Sequence, residues 1–152
     1  MRMKLIMCAA ACLTASIPFT AMAQPAPEEL ISLAAGELSE EKVETLSRCV
    51  ALAQIDLAEL EARAEERGGE APPTIRKARD TAKEVTAIWE QALEEKLKPA
   101  AEETGADEKI SALKADIEAW AAEIDHPENR DEKIATRRDC AAKVMQAISA
   151  VK

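Results

Sequence analysis

The feature that most constrains this chain is one long amphipathic pattern between Ser39 and Arg67. Apolar residues recur there at alternating spacings of three and four, which places them along one face of a helix. They are Val43, Leu46, Val50, Ala53, Leu57, Leu60 and Ala64. Ser39 is a suitable N-cap for this helix. A helix with one apolar face must bury it against other elements, so we expect the rest of the chain to pack on this segment.

Turn residues separate this helix from further helical patterns. Glycines and prolines within residues 68–73 predict a turn. A second helix is predicted from Thr74, as its N-cap, to Lys98, and Pro99 is expected to end it. A third helix is predicted after a capping sequence that begins at Thr104. Its apolar stripe consists of Ile110, Leu113, Ile117, Trp120 and Ile124.

A fourth long helix and one short helix complete the pattern. Asn129 and Glu132 resemble a capping box, which predicts the start of the fourth helix. The apolar face of that helix is predicted to comprise Ile134, Ala141, Val144, Ile148 and Val151. The short helix is predicted between Pro27 and Gly36. The residues expected to lay it against the main bundle are Leu30, Ile31 and Leu33.

Strand patterns are missing from the sequence. No segment alternates apolar and polar residues with a period of two, and runs of β-branched residues are absent. Short turns between consecutive long helices favour antiparallel neighbours. The predicted fold is all-α: an antiparallel up-down four-helix bundle over residues 39–152, stapled by one disulfide. Residues 24–38 are predicted to form a leader that contains the short helix.

Residues 1–23 have the pattern of a cleavable signal peptide. A short basic start precedes a mostly apolar run without charge, and small residues ending at Ala23 predict cleavage before Gln24. A membrane anchor is the alternative. It is disfavoured because the run is shorter than the roughly 20 residues of a bilayer span and Pro18 interrupts it.

The cysteines have different fates under this prediction. Cys8 and Cys12 would leave with the signal peptide, although lipidation at either is an alternative. The apolar run before Cys12 is short for an export core. Cys49 and Cys140 would remain, and an even pair in an exported chain predicts a disulfide. Two free thiols and a disulfide-linked dimer are the alternatives.

The charge balance is acidic and argues against two classes of partner. The chain has 20 Lys and Arg against 29 Asp and Glu, a net charge of −9, and cleavage would also remove Arg2 and Lys4. Nucleic acid is not an expected partner, because phosphate backbones require clustered cationic side chains. The same repulsion disfavours anionic headgroups, so no stable membrane association is expected after cleavage.

Residues that could hold a cofactor are scarce. His126 is the only histidine, and its place in a turn beside Pro127 favours a surface role over general-base chemistry. Covalent haem requires Cys-x-x-Cys-His, which is absent. Axial ligation by His126 and Met145 would join residues that a continuous helix separates by on the order of 28 Å. A di-metal bundle needs paired Glu-x-x-His motifs. No cofactor, metal or catalytic residue is predicted.

Charged side chains on the first and fourth long helices are expected to face each other. The carboxylates of the first helix are Asp56, Glu59, Glu61, Glu65, Glu66 and Glu70. We interpret them as a solvated or ion-paired face, because no calcium-binding loop motif organises them. A basic patch of Lys133, Arg137 and Arg138 is expected to lie along these acids. A contact with an acidic partner is the alternative.

Trp89 and Trp120 are the only aromatic residues after residue 23. They fall on the apolar stripes of the second and third helices, so we expect core packing, with a ligand cavity as the alternative. The chain is expected to be no enzyme but a periplasmic or secreted binding protein. It would present helix faces to an unknown envelope protein, as a monomer or weak homo-oligomer. The alternative function is small-molecule or metal binding through the Trp89–Trp120 region or the acidic helix face.

Overall fold

The computed structural model describes residues 26–66, 71–101 and 105–152. The helices in these ranges are α1 (Pro27–Leu38), α2 (Val43–Glu65), α3 (Pro73–Ala101), α4 (Ala106–Ile124) and α5 (Arg130–Ala150), with a 3-10 turn at Pro127–Asn129. No strand occurs within them, so the predicted all-α class is confirmed. The predicted signal peptide with its Ala23–Gln24 cleavage site, the 68–70 turn and the Thr104 cap lie outside the described residues.

The start of the first long helix differs from the prediction. α2 begins at Val43, and Ser39 belongs to the end of α1. The Ser39 hydroxyl donates to the Gly36 carbonyl at 2.7 Å, and the Ser39 N–H donates to the Ala35 carbonyl at 2.9 Å. Because Ser39 satisfies the last carbonyls of α1, it closes the short helix instead of capping the long one.

Two other predicted boundaries are wrong for local reasons. α3 already begins at Pro73, because the Pro72 carbonyl accepts from the N–H groups of Ile75 and Arg76. Pro99 lies inside α3, which continues to Ala101. A proline this close to the C-terminal end of a helix removes only one intrahelical hydrogen bond.

The predicted capping box at Asn129 does not form. The Asn129 side chain makes no cap hydrogen bond to α5. Its Nδ2 instead donates to the Glu123 carbonyl at 2.9 Å. The side chain therefore adds a second donor to a carbonyl at the end of α4, which also accepts from the His126 N–H at 3.1 Å.

The core is built on α2. Its buried apolar residues are joined by residues of α1, α3 and α5, whereas α4 contributes Ile124 alone to this cluster. The members with the least exposed surface are Ala34, Ala35, Leu46, Cys49, Trp89, Ala92 and Ile124. The exposed residues among those predicted to pack inward include Leu33 at 45%, Ile134 at 40% and the smaller Ala141. α1 instead buries its face of Ala34, Ala35 and Leu38 against α3 and α5.

Cross-helix contacts establish the direction of two neighbours of α2. Gln54 of α2 bonds Glu90 of α3, and Glu61 of α2 pairs with Lys83 of α3. Residue numbers therefore increase along α2 as they decrease along α3, so the two helices are antiparallel. Along α5, Lys143 meets Glu41 and Lys133 meets Glu59, so α5 also runs antiparallel to α2.

The predicted disulfide between Cys49 and Cys140 is confirmed. Their Cα atoms are 5.6 Å apart and 91 residues separate them in sequence. The two cysteines are 1% and 5% exposed. The disulfide joins α2 to α5 inside the core, where burial restricts attack by an external thiolate.

Candidate functional site

The acidic face of α2 is largely ion-paired. Arg137 holds Asp56 through two hydrogen bonds, one of them from Nε at 2.9 Å. Lys133 Nζ lies 3.2 Å from Glu59 and 2.5 Å from Asp125. The prediction that the basic patch lies along these acids is therefore confirmed for Lys133 and Arg137. These pairs orient α5 on α2.

Two lysines of α5 have raised pKa values. Burial disfavours the Lys133 ammonium, but hydrogen bonds to Asp125 and Glu59 and their negative charges outweigh burial, so the pKa of Lys133 is raised. The hydrogen bond from Lys143 to Glu41, at 2.8 Å, raises the pKa of Lys143 against a smaller opposing effect of burial. Both ammonium groups stay charged at physiological pH, so they keep their ion pairs and do not act as proton-transfer groups.

Groups typical of metal or catalytic sites are dispersed. Among the described residues, no cluster of three or more His, Cys, Asp and Glu side chains could hold a metal ion. His126 lies exposed at the start of the 3-10 turn, and its Nδ1 accepts from the Glu128 N–H at 3.5 Å. This geometry is that of a turn-forming side chain.

The two tryptophans have different environments. Trp89 is 1% exposed and lies in the core. Trp120 is half-buried against that core, and its ring faces the Arg48 guanidinium at 5.6 Å from the ring centroid. Trp120 therefore presents part of an aromatic surface to solvent, and Trp89 does not.

One open groove lies between α2 and α3, here called the α2–α3 groove. It encloses about 570 Å³ and is lined mainly by apolar atoms. Its lining residues are Ala53, Asp56 and Leu60 of α2, with Thr74, Lys77, Ala78, Thr81, Ala82 and Val85 of α3. Asp56 is bonded to Arg137, whereas Lys77 has no ion-pair partner among the residues that the structure describes.

This groove and α1 share one face of α3. Gln91 of α3 bonds Ser32, and Glu95 lies beside Gly36, so α1 runs parallel to α3 along its C-terminal half. The same face of α3 contains residues 74, 78, 81, 85, 88, 92 and 95. Under α1 this stripe is buried, as at Ala92, but at Ala78 it is exposed. Helix α1 therefore covers the C-terminal half of this stripe on α3, and the N-terminal half stays open.

A second groove lies between α2 and α4, here called the α2–α4 groove. Val43, Glu44, Ser47 and Arg48 of α2 line it with Leu113, Asp116, Ile117 and Trp120 of α4, around about 410 Å³. Ser47 is 7% exposed, and its hydroxyl has no hydrogen-bond partner in the described part of the chain. An unpaired buried hydroxyl is unusual in a folded protein.

Sequence reasoning identified Trp120 but missed most residues of both grooves. Ser47 and Arg48 directly precede Cys49, and no sequence motif marks either of them as a site residue. Ala78 and Ala82 lie within the predicted second helix, and no sequence signal indicates where along α3 the covering helix stops.

The described residues form an all-helical, disulfide-linked fold whose surface clefts include the α2–α3 and α2–α4 grooves. No family model, curated protein or solved structure compared with this chain matches it. Across ranges 26–66, 71–101 and 105–152, none of the helices is both long and apolar enough to cross a membrane.

Proposed function

We propose that this chain is an exported, non-catalytic binding protein that holds a helical segment of an envelope protein in the α2–α3 groove. The observation that carries the proposal is the stripe on α3 that is buried beneath α1 and exposed beyond it. Amphipathic helices commonly bind in apolar grooves of this kind.

Export is supported by two independent features. Residues 1–23 combine a basic start, an apolar run and small residues before Gln24, as signal peptides do. The Cys49–Cys140 disulfide is typical of proteins that fold in oxidising compartments. We therefore propose a periplasmic or secreted location. For α2 to α5 we propose an up-and-down bundle, because short connections join consecutive helices.

The groove itself indicates the chemistry of the bound helix. Ala53, Ala78 and Ala82 leave room for a close backbone approach, as Ala34 and Ala35 do where α1 packs. We expect small apolar residues on the buried face of the partner helix. Lys77 at the rim would pair with an acidic residue on its flank.

Site-specific photocrosslinking in the native host tests this proposal. A photoreactive side chain is placed at Ala78, in the groove, and in a matched protein at Ala115, an exposed alanine of α4. We expect one discrete envelope-protein adduct from position 78 and none from position 115. Mass spectrometry of the adduct should locate the crosslink within a helical segment of the partner.

A synthetic peptide with the sequence of the crosslinked segment then tests whether binding depends on the groove. Ala78→Arg should weaken the affinity for this peptide by at least about tenfold, because a long charged side chain fills the cleft. Ala115→Arg should leave binding unchanged. Equal adducts from both positions, or no adduct from position 78, would exclude the groove as the docking surface.

A further inference from the structure

We propose that the α2–α4 groove is a separate site that binds a small organic amine with an apolar body and a hydroxyl group. The site shares no residue with the α2–α3 groove. Its volume of about 410 Å³ lies within the range of small-molecule pockets, roughly 300–1,000 Å³.

The walls of the groove suit an aromatic or aliphatic body. Leu113, Ile117 and Trp120 project from one face of α4 at spacings of four and three, opposite Val43 of α2. All four side chains are half-buried, so apolar surface remains open to a ligand. Burial of that surface supplies the affinity for the apolar body.

The charges at the rim favour a cation. The Arg48 guanidinium already has partners, because it pairs with Glu44 at 2.8 Å and lies over the Trp120 ring. Asp116 has no ion-pair partner among the described residues. Because Arg48 and Glu44 offset each other, Asp116 is the unbalanced charge at the rim, which can pair with an ammonium group and repels a carboxylate. Arg48 on Trp120 also shows that this aromatic face accepts a positive charge.

The Ser47 hydroxyl at the base of the groove lacks a hydrogen-bond partner among the described residues. The Ser47 side chain lines the cleft, is more than nine-tenths buried and has an unpaired Oγ. Buried hydroxyls are normally paired. A ligand hydroxyl would satisfy Ser47 by donating to it or by accepting from it. The three features together define the ligand class: apolar walls, an acidic rim and a hydroxyl-binding floor.

Three matched probes separate these contributions. Tyramine carries both polar groups, phenethylamine lacks the hydroxyl, and 3-(4-hydroxyphenyl)propionate replaces the amine by a carboxylate. Binding is measured by NMR from the two tryptophan indole N–H signals, which Trp120→Phe assigns. Trp89 serves as the internal control because it is buried in the core.

With tyramine we expect a saturable shift of the Trp120 signal while the Trp89 signal stays in place. Phenethylamine should bind about tenfold more weakly, and the carboxylate should not saturate. Ser47→Ala should remove the preference for tyramine over phenethylamine. Asp116→Asn should weaken both amines by about the same factor.

Other outcomes overturn the assignment. These are carboxylate binding as tight as tyramine binding, shifts of both tryptophans, or no saturation with any probe. Unliganded Ser47→Ala should unfold at a temperature no lower than the parent protein, since it removes an unpaired hydroxyl. This stability measurement separates a lost contact from a misfolded variant. Ala78→Arg, which blocks only the other groove, should leave tyramine binding unchanged.

Discussion

The helices α1 and α4 show that length does not decide which element enters the core. α1 has 12 residues, and its Ala34 and Ala35 have no exposed surface. α4 has 19 residues, yet only Ala106 and Ile124, at its two ends, are buried. The shorter helix is a core element and the longer one lies at the edge.

The difference follows from how much of each helix its neighbours cover. α1 lies against both α3 and α5, so its small residues are enclosed from two sides. α4 packs mainly on α2, and its stripe of Leu113, Ile117 and Trp120 stays half-buried. The contacts of α4 with α3 and α5 are less extensive, so part of its apolar face stays uncovered and forms the α2–α4 groove.

The largest expected effect concerns the disulfide, which holds α5 on α2. Helices α3 and α5 enclose α1, and their contact surface for it is here called the α1 site. Replacing Cys49 and Cys140 together by serine should lower the free energy of unfolding by about 4 kcal/mol, because a loop of about 90 residues is no longer closed in the unfolded chain. Urea denaturation measures this loss. We expect hydrogen exchange to show lost protection in α1 and α5 before α4, because the disulfide connects α2 to α5.

Reductant provides the control for this variant. It should destabilise the parent protein to the same extent and leave the double serine variant unchanged. Parent and variant stabilities within about 1 kcal/mol of each other would show that the disulfide does not support the α1 site.

A matched pair of leucines compares the two helices directly. Leu38→Ala in α1 should cost about 3 kcal/mol, because the side chain is 4% exposed and its removal leaves a cavity. Leu113→Ala in α4 should cost about 1 kcal/mol, since this side chain is only half-buried. Denaturation of both variants under the same conditions measures the difference. Equal losses would contradict the ranking of the two helices.

The smallest expected effect concerns Lys133, which ties the end of α4 to α2 through Asp125 and Glu59. Lys133→Met should cost about 1 kcal/mol at neutral pH, because both carboxylates lose their partner but remain solvated. The pKa of Lys133 is raised in the folded state, so its contribution is complete below the ordinary value of 10.5. It should disappear as the pH rises through the raised pKa.

The pH dependence of the difference in unfolding free energy between parent and variant checks this sign. The difference should shrink above pH 10.5. Lys114→Met, at an exposed position of α4, should show neither the loss nor its pH dependence. If the difference in unfolding free energy between parent and Lys133→Met stayed constant up to the highest pH measured, the ammonium charge of Lys133 would not contribute to stability.

Local patterns predicted the helices better than their ends. The stripe from Val43 to Ala64 correctly predicted α2, because apolar spacing depends only on the helix period. The ends were less accurate: Ser39 and Asn129 both had suitable capping chemistry but bonded carbonyls of the preceding helix. A polar side chain at a turn can serve either neighbour, and only the folded geometry selects one.

For the candidate sites, the sequence identified Trp120 and not its surroundings. Trp89 and Trp120 both fall on apolar stripes, yet one is buried and the other lines a groove. Ser47 gives no sequence signal, because its unpaired hydroxyl is a property of the packed α2–α4 contact. A stripe specifies which face of a helix is apolar but not how many helices will cover it.

The sequence alone determined the all-helical class, the apolar stripe of α2 and the Cys49–Cys140 pair. These depend on residue spacing along the chain and on there being two cysteines after the predicted cleavage. The tertiary structure alone decided that α1 enters the core, that α4 stays at the edge and that two grooves remain open. Those outcomes depend on contacts between distant segments, where burial is set by how much of a surface the neighbouring helices cover.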